Sequence, residues 1–219
     1  MPLSPELIAA LRTPPQDWER FLVVADRLQL EGDPRGELIM LQAQRLERGD
    51  SPERRAGEAA YIQKHDRALL GKLWKTPTVF SLDWELGFIR DARLSTHDLA
   101  RRHVEKLSKL TRELLELESS ALLETLTFAV PRQQGVETQA LLDALVEVAR
   151  VGPPTLRALC VRDLAHEYRD DDPYEIFSIP PWAPRNVREL VWRGRPLRVE
   201  TDAFPLDAVA DLLGAWEPI

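Results

Sequence analysis

Between residues 89 and 192 one apolar pattern returns four times, and no other feature limits the fold so strongly. It reads Ile89-x-x-Ala92-x-Leu94, then Leu123-x-x-Leu126-x-Phe128, then Leu156-x-x-Leu159-x-Val161, then Val187-x-x-Leu190-x-Trp192. Its central positions, 92, 126, 159 and 190, stand 34, 33 and 31 residues apart. Within each unit the alternation of apolar and other residues describes a short strand. Helical spacing fills the first two intervals: Leu107, Leu110, Leu114 and Leu117 in one, Leu141, Leu142, Leu145 and Val148 in the other. A strand-plus-helix unit cannot bury its apolar face alone, so the units must stack. The fold class expected is α/β, with a short leucine-rich-repeat-like solenoid of parallel strands and helices over residues 76–219. An ordinary α/β domain with evenly spaced strands is the alternative. The third interval holds Asp170-Asp171-Asp172-Pro173 and Pro180-Pro181-Trp182-Ala183-Pro184, which predict an irregular loop. Residues 205–215 predict a short closing helix.

The first 75 residues predict a small helical module. Residues 17–30 place Phe21, Val24, Ala25 and Leu28 on one helical face. Gly32-Asp33-Pro34 then stops one helix and starts another: Gly32 suits a left-handed terminus, Asp33 can cap, and Pro34 suits a first turn. The next helix offers Leu38, Ile39, Leu41 and Leu46. Similar punctuation at Gly49-Asp50-Ser51-Pro52 opens a third helix carrying Ala56, Ala59, Ile62, Leu69, Leu70 and Leu73. After Thr76-Pro77, Val79 to Trp84 alternates as a strand does, and Gly87 can turn the chain into a second strand from Phe88 to Leu94.

The stretch from Val24 to Gln42, with Gly32-Asp33-Pro34-Arg35-Gly36-Glu37 at its centre, resembles the bacterial repeat-companion domain, a short module found ahead of repeat regions. Trp84-Glu85-Leu86-Gly87-Phe88-Ile89 resembles the strand that follows it. The resemblance covers about 40 residues and implies a downstream repeat region; it implies no catalytic activity. Asp26, Arg35 and Glu37 flank the helix–helix turn, and the expected role of these charges is to cap helices and pair across that turn.

The net charge of −7 falls entirely after residue 75 and argues against a nucleic-acid reader, which usually presents a basic face. One cysteine, Cys160, excludes an intrachain disulfide and points to a reducing compartment. The start Met-Pro-Leu-Ser-Pro-Glu has no signal-peptide pattern, and no apolar run has the length of a membrane span, so the expected location is the cytoplasm. His65, His97, His103 and His166 form no zinc motif. His166, Asp163 and Asp170 to Asp172 lack the glycine and closing glutamate of a calcium loop. Phosphate-cradling loops and a nucleophile elbow are likewise missing, so no cofactor, metal or catalytic residue is expected.

The expected function is therefore that of a non-catalytic scaffold or adaptor. An inhibitor of a single protein is the alternative, and an enzyme with an unrecognised site is a further one. If pattern residues point to the core, the alternate residues face outward. These are Asp91, Arg93 and Ser95, then Thr125, Thr127 and Ala129, then Ala158, Cys160 and Arg162, then Glu189, Val191 and Arg193. Asp91, Arg93, Thr125, Thr127, Arg162, Glu189, Val191 and Arg193 are the expected contacts to a protein partner with an acidic or mixed surface. Tyr174, Phe177, Trp182 and Trp192 are expected to pin the loop to the core.

Overall fold

The computed structural model describes residues 5–12, 18–95, 106–130, 136–163, 186–193 and 195–201, with positions 209 and 211. His97, His103, His166, the 170–172 acidic run, Tyr174, Phe177, Trp182 and most of the closing helix lie outside the described residues. The described helices are α1 (Pro5–Arg12), α2 (Trp18–Leu30), α3 (Pro34–Arg48), α4 (Pro52–Lys64), α5 (Asp66–Leu70), α6 (Leu107–Leu115) and α7 (Val136–Val151). The strands are β1 (Phe80–Glu85), β2 (Phe88–Ser95), β3 (Thr125–Val130), β4 (Ala158–Asp163), β5 (Asn186–Trp192) and β6 (Arg195–Thr201). No described helix is long and apolar enough to cross a membrane.

The strands form one mixed, mostly parallel sheet in the order β1-β2-β3-β4-β6-β5. Three of the four pattern segments pair side by side: Ala92 aligns with Leu126, and Leu126 with Leu159, across parallel β2, β3 and β4. The fourth does not continue the stack. Val187 to Trp192 forms the edge strand β5, antiparallel to β6, and β6 takes the place beside β4, with Val199 aligned to Leu159. The same alternation suits either pairing, because side-chain period does not encode strand direction. The class is α/β, as the pattern predicts.

The inward row is closed by α6 and α7. Leu107, Leu110 and Leu114 of α6 join Leu141, Ala144, Leu145 and Val148 of α7 over Leu126, Phe128, Leu159 and Val161. Arg112 of α6 pairs with Glu147 of α7, which also meets Arg150 at 2.9 Å. The predicted third helix is broken. It runs as α4 and α5 and then as a 3-10 turn over residues 71–75, leaving Ala56 and Ala59 exposed and burying Leu69 and Leu73.

Residues 1–75 do not build a core of their own. Leu38, Leu69 and Leu73 belong to the cluster beneath the sheet. Phe21, Val24, Ala25, Leu28, Ile39 and Ala43 form a second cluster with Leu86, Phe88 and Leu122. The β1–β2 hairpin sits at this junction. Its two-residue turn places Leu86 at φ 48° and Gly87 at φ 78°, the paired positive values that match strand twist in short hairpins. Leu86 tolerates that conformation because its side chain is buried against the helices. The buried Gln42 of α3 then holds the turn by both ends of its amide. Nε2 donates to Trp84 O at 3.0 Å, and Oε1 accepts from Gly87 N at 2.8 Å.

Each residue of the Gly32–Glu37 motif has a local structural role. Gly32 has φ 72°, and Asp33 caps α3 by accepting from Arg35 N at 2.9 Å. Arg35, 3% exposed, turns its guanidinium back onto the Asp33 carboxylate and also onto Glu118, in the turn after α6. Gly36 lets α2 and α3 approach closely: a Cβ there would lie 2.7 Å from Ala25 O. Glu37 accepts from Gln29 Nε2 at 3.1 Å, while Asp26 is exposed. Of the three charges expected to cap and pair with one another, only Arg35 is in an ion pair, with Asp33 and with Glu118 from 83 residues away; the cap is Asp33, and Glu37 meets an amide.

Candidate functional site

The second face of the sheet is where the alternate residues emerge. Neither hydrophobic cluster contains any of them; Asp91 and Glu189 are exposed, while Ala129, Cys160 and Glu200 are buried. Strand register arranges the face in rows. One row runs Asp83, Asp91, Thr125, Ala158, Arg198, Glu189 from edge to edge. The next runs Ser81, Arg93, Thr127, Cys160, Glu200, Val187. A shorter third row holds Ser95, Ala129 and Arg162. The structure therefore brings Asp91, Arg93, Thr125, Thr127, Arg162 and Glu189 onto one surface, with Val191 on the edge strand opposite Pro196.

Arg193 stands elsewhere. It follows β5 in a turn at φ 52°, and its guanidinium donates to Gly152 O at 2.9 Å, Ala149 O at 2.6 Å and Arg150 O at 2.9 Å. Those are the carbonyls left over at the C-terminus of α7, where a cation is favoured by both hydrogen bonding and the helix dipole. Arg193 is a helix cap on the covered side. Trp192 is buried, with its ring against the Gly152 turn.

The face is a mosaic of charges. Arg162 lies 3.0 Å from Glu200, and Glu200 also faces Arg198 at 3.6 Å. Arg198 and Glu200 belong to β6, which the repeat pattern passes over. Their signal was the plain alternation of Leu197, Val199 and Thr201 with charged neighbours. Cys160 sits in the middle row, where burial, chiefly, pushes its thiol above the ordinary range. A neutral, buried thiol is a packing group and a poor nucleophile. No group of three or more His, Cys, Asp or Glu side chains among the described residues is arranged to hold a metal ion.

At the β1 edge two exposed carboxylates oppose one another, since Asp83 and Asp91 are register partners. Like charges directly across a strand pair destabilise it. Asp91→Lys is expected to raise stability by about 0.5 kcal/mol, read from urea unfolding midpoints at constant slope. A loss of stability would show that Asp91 is already compensated.

Comparison with protein-family models, with curated proteins and with solved structures finds no match to this chain.

Proposed function

We propose that the chain is a non-catalytic scaffold or adaptor that binds another protein across the open face of its sheet. In this reading β2, β3 and β4 with α6 and α7 are a short leucine-rich-repeat-like array, and residues 1–75 are its repeat-companion-like cap. The observation that supports the proposal is the row Asp83, Asp91, Thr125, Ala158, Arg198 and Glu189, whose four charged members are all exposed. The strands hold Asp83, Asp91, Arg93, Arg198 and Glu189 in fixed rows on the second face, with Ala158, Cys160 and Val187 among them, while the larger apolar side chains of β2, β3 and β4 lie on the opposite side. The alternation of Asp91, Arg93, Arg162, Glu189 and Arg198 with threonines favours a partner of mixed charge, because each fixed guanidinium or carboxylate selects its opposite.

The test is a charge and shape change at the centre of the face. Asp91→Lys with Thr125→Arg alters one row without touching the core. A protein recovered reproducibly with the wild-type chain, then purified, is expected to bind the double variant at least tenfold more weakly by calorimetry. Equal affinity for both forms would remove the face from the binding site. Failure of the wild type to bind any protein would remove the adaptor reading itself.

A further inference from the structure

A cleft of about 490 Å³ opens at the N-terminal ends of the parallel strands and shares Glu189 and Arg198 with the open face, but none of that face's residues at β2 and β3. Its charged lining is Arg90, Arg157, Arg195 and Arg198 against Glu124 and Glu189, with Pro154 and Pro196 among its walls. A positive lining in a chain of net charge −7 calls for a local explanation.

The backbone builds this cleft. Glu124 N donates to Arg90 O at 2.8 Å, Arg157 N to Glu124 O at 2.8 Å, and Arg198 N to Arg157 O at 2.8 Å. These bonds bring Arg90 of β2, Glu124 and Arg157 immediately before β3 and β4, and Arg198 of β6 to the same end of the sheet, with Arg198 aligned to Ala158, one residue beyond Arg157. Glu124 belongs to Arg90, which is 95% buried and holds it at 3.0 Å. Arg157 meets the same carboxylate only at 3.9 Å, with its side chain 64% exposed. Arg198 meets Glu200 only at 3.6 Å, and Glu200 is held more closely by Arg162 at 3.0 Å. Arg195 donates to the carbonyl of Pro154 at 2.8 Å. Including the neighbouring Glu85, Arg162 and Glu200 still leaves one guanidinium in excess. Exposed pairs at such distances contribute little, so these arginines can turn to a ligand at small cost.

From this we infer that the cleft at the strand N-termini is a binding site for a phosphomonoester group. Guanidinium forks brought to one end of the sheet suit a tetrahedral dianion, whose three terminal oxygens and greater charge can engage several forks at once. The cleft falls in the size range of small-ligand sites. The chemistry is the same for a free phosphate and for a phosphorylated side chain of a partner, and the inference stands whether or not the open face binds protein.

The experiment titrates the full chain with inorganic phosphate and, separately, with a short phosphoserine peptide at matched low ionic strength, following backbone amide resonances. Saturable shifts at Arg157, Arg195 and Arg198 are expected, with affinity falling at least tenfold in the Arg157→Gln/Arg198→Gln variant and unchanged in Arg27→Gln, a surface arginine on α2. Equal affinity for both probes would identify a small-molecule site, and a tenfold preference for the peptide a partner site; either supports the inference. Shifts that do not saturate, or that survive in the double variant while its melting temperature is unchanged, would overturn it. If the double variant does not fold, Arg198→Lys serves instead: it keeps the charge and loses the fork, and undiminished affinity there would also overturn the inference.

Discussion

Gly87→Ala is expected to be the most damaging single substitution in the chain, costing about 3–5 kcal/mol. Two independent terms combine. At φ 78° an L side chain is strained by about 1–2 kcal/mol. The added Cβ would also lie 2.5 Å from Ile39 Cγ1 and 3.0 Å from Arg35 O. Ile39 is fully buried in the helical cluster, and Arg35 O is backbone, so neither can give way cheaply. A shift in the hairpin would further pull Gly87 N from the Gln42 amide, leaving a buried donor unpaired. Urea unfolding measures the loss. A cost below about 1 kcal/mol would mean that the hairpin does not pack on α3 as described.

Asp33→Ala is expected to cost about 3 kcal/mol, because it removes a cap and half of a buried ion pair together. The Arg35 guanidinium would remain buried with Glu118 as its carboxylate partner. Asp33→Asn keeps a capping oxygen and should cost about 2 kcal/mol, so the gap between the variants isolates the cap. The pH dependence has a definite sign. Burial raises the Asp33 carboxyl pKa, but the Arg35 hydrogen bonds and charge outweigh it, and the group titrates below its ordinary 3.8. A carboxyl depressed by folding stabilises the native state above its unfolded value, and that contribution is lost as pH falls through the folded value. The stability difference between wild type and Asp33→Asn should therefore be constant above about pH 5 and shrink below pH 4. A difference that grew on acidification would contradict the pairing.

What the residues disclosed in advance follows from the kind of signal each carries. The Gly32-Asp33-Pro34 stop and start was legible because each residue answers a local backbone demand. The three stacked strands were legible because a repeated apolar spacing reports a repeated environment. β5 and β6 were not, since strand direction and neighbour order depend on contacts made far along the chain. The outward positions of Asp91, Arg93, Thr125, Thr127, Arg162 and Glu189 followed from alternation alone. Arg193 broke the rule because the strand had ended one residue before it, and helix ends and strand ends carry weaker marks than their interiors. Arg35 was legible as a partner within its turn; Glu118, distant in sequence, was not. The cleft was invisible to periodicity, since it is assembled from residues before β3 and β4 together with residues inside β2, β5 and β6.

The clamp between Gln42 and the hairpin turn bears on the order in which a growing chain can mature. When α3 leaves the ribosome, its amide has no hairpin to hold, and Phe21 and Ile39 have no Phe88 to cover them. The helices can form early, but they remain an unfinished surface until residues 84–88 arrive. A nascent chain paused before that point would present a sticky helical face to chaperones, and synthesis of one short hairpin would retire it.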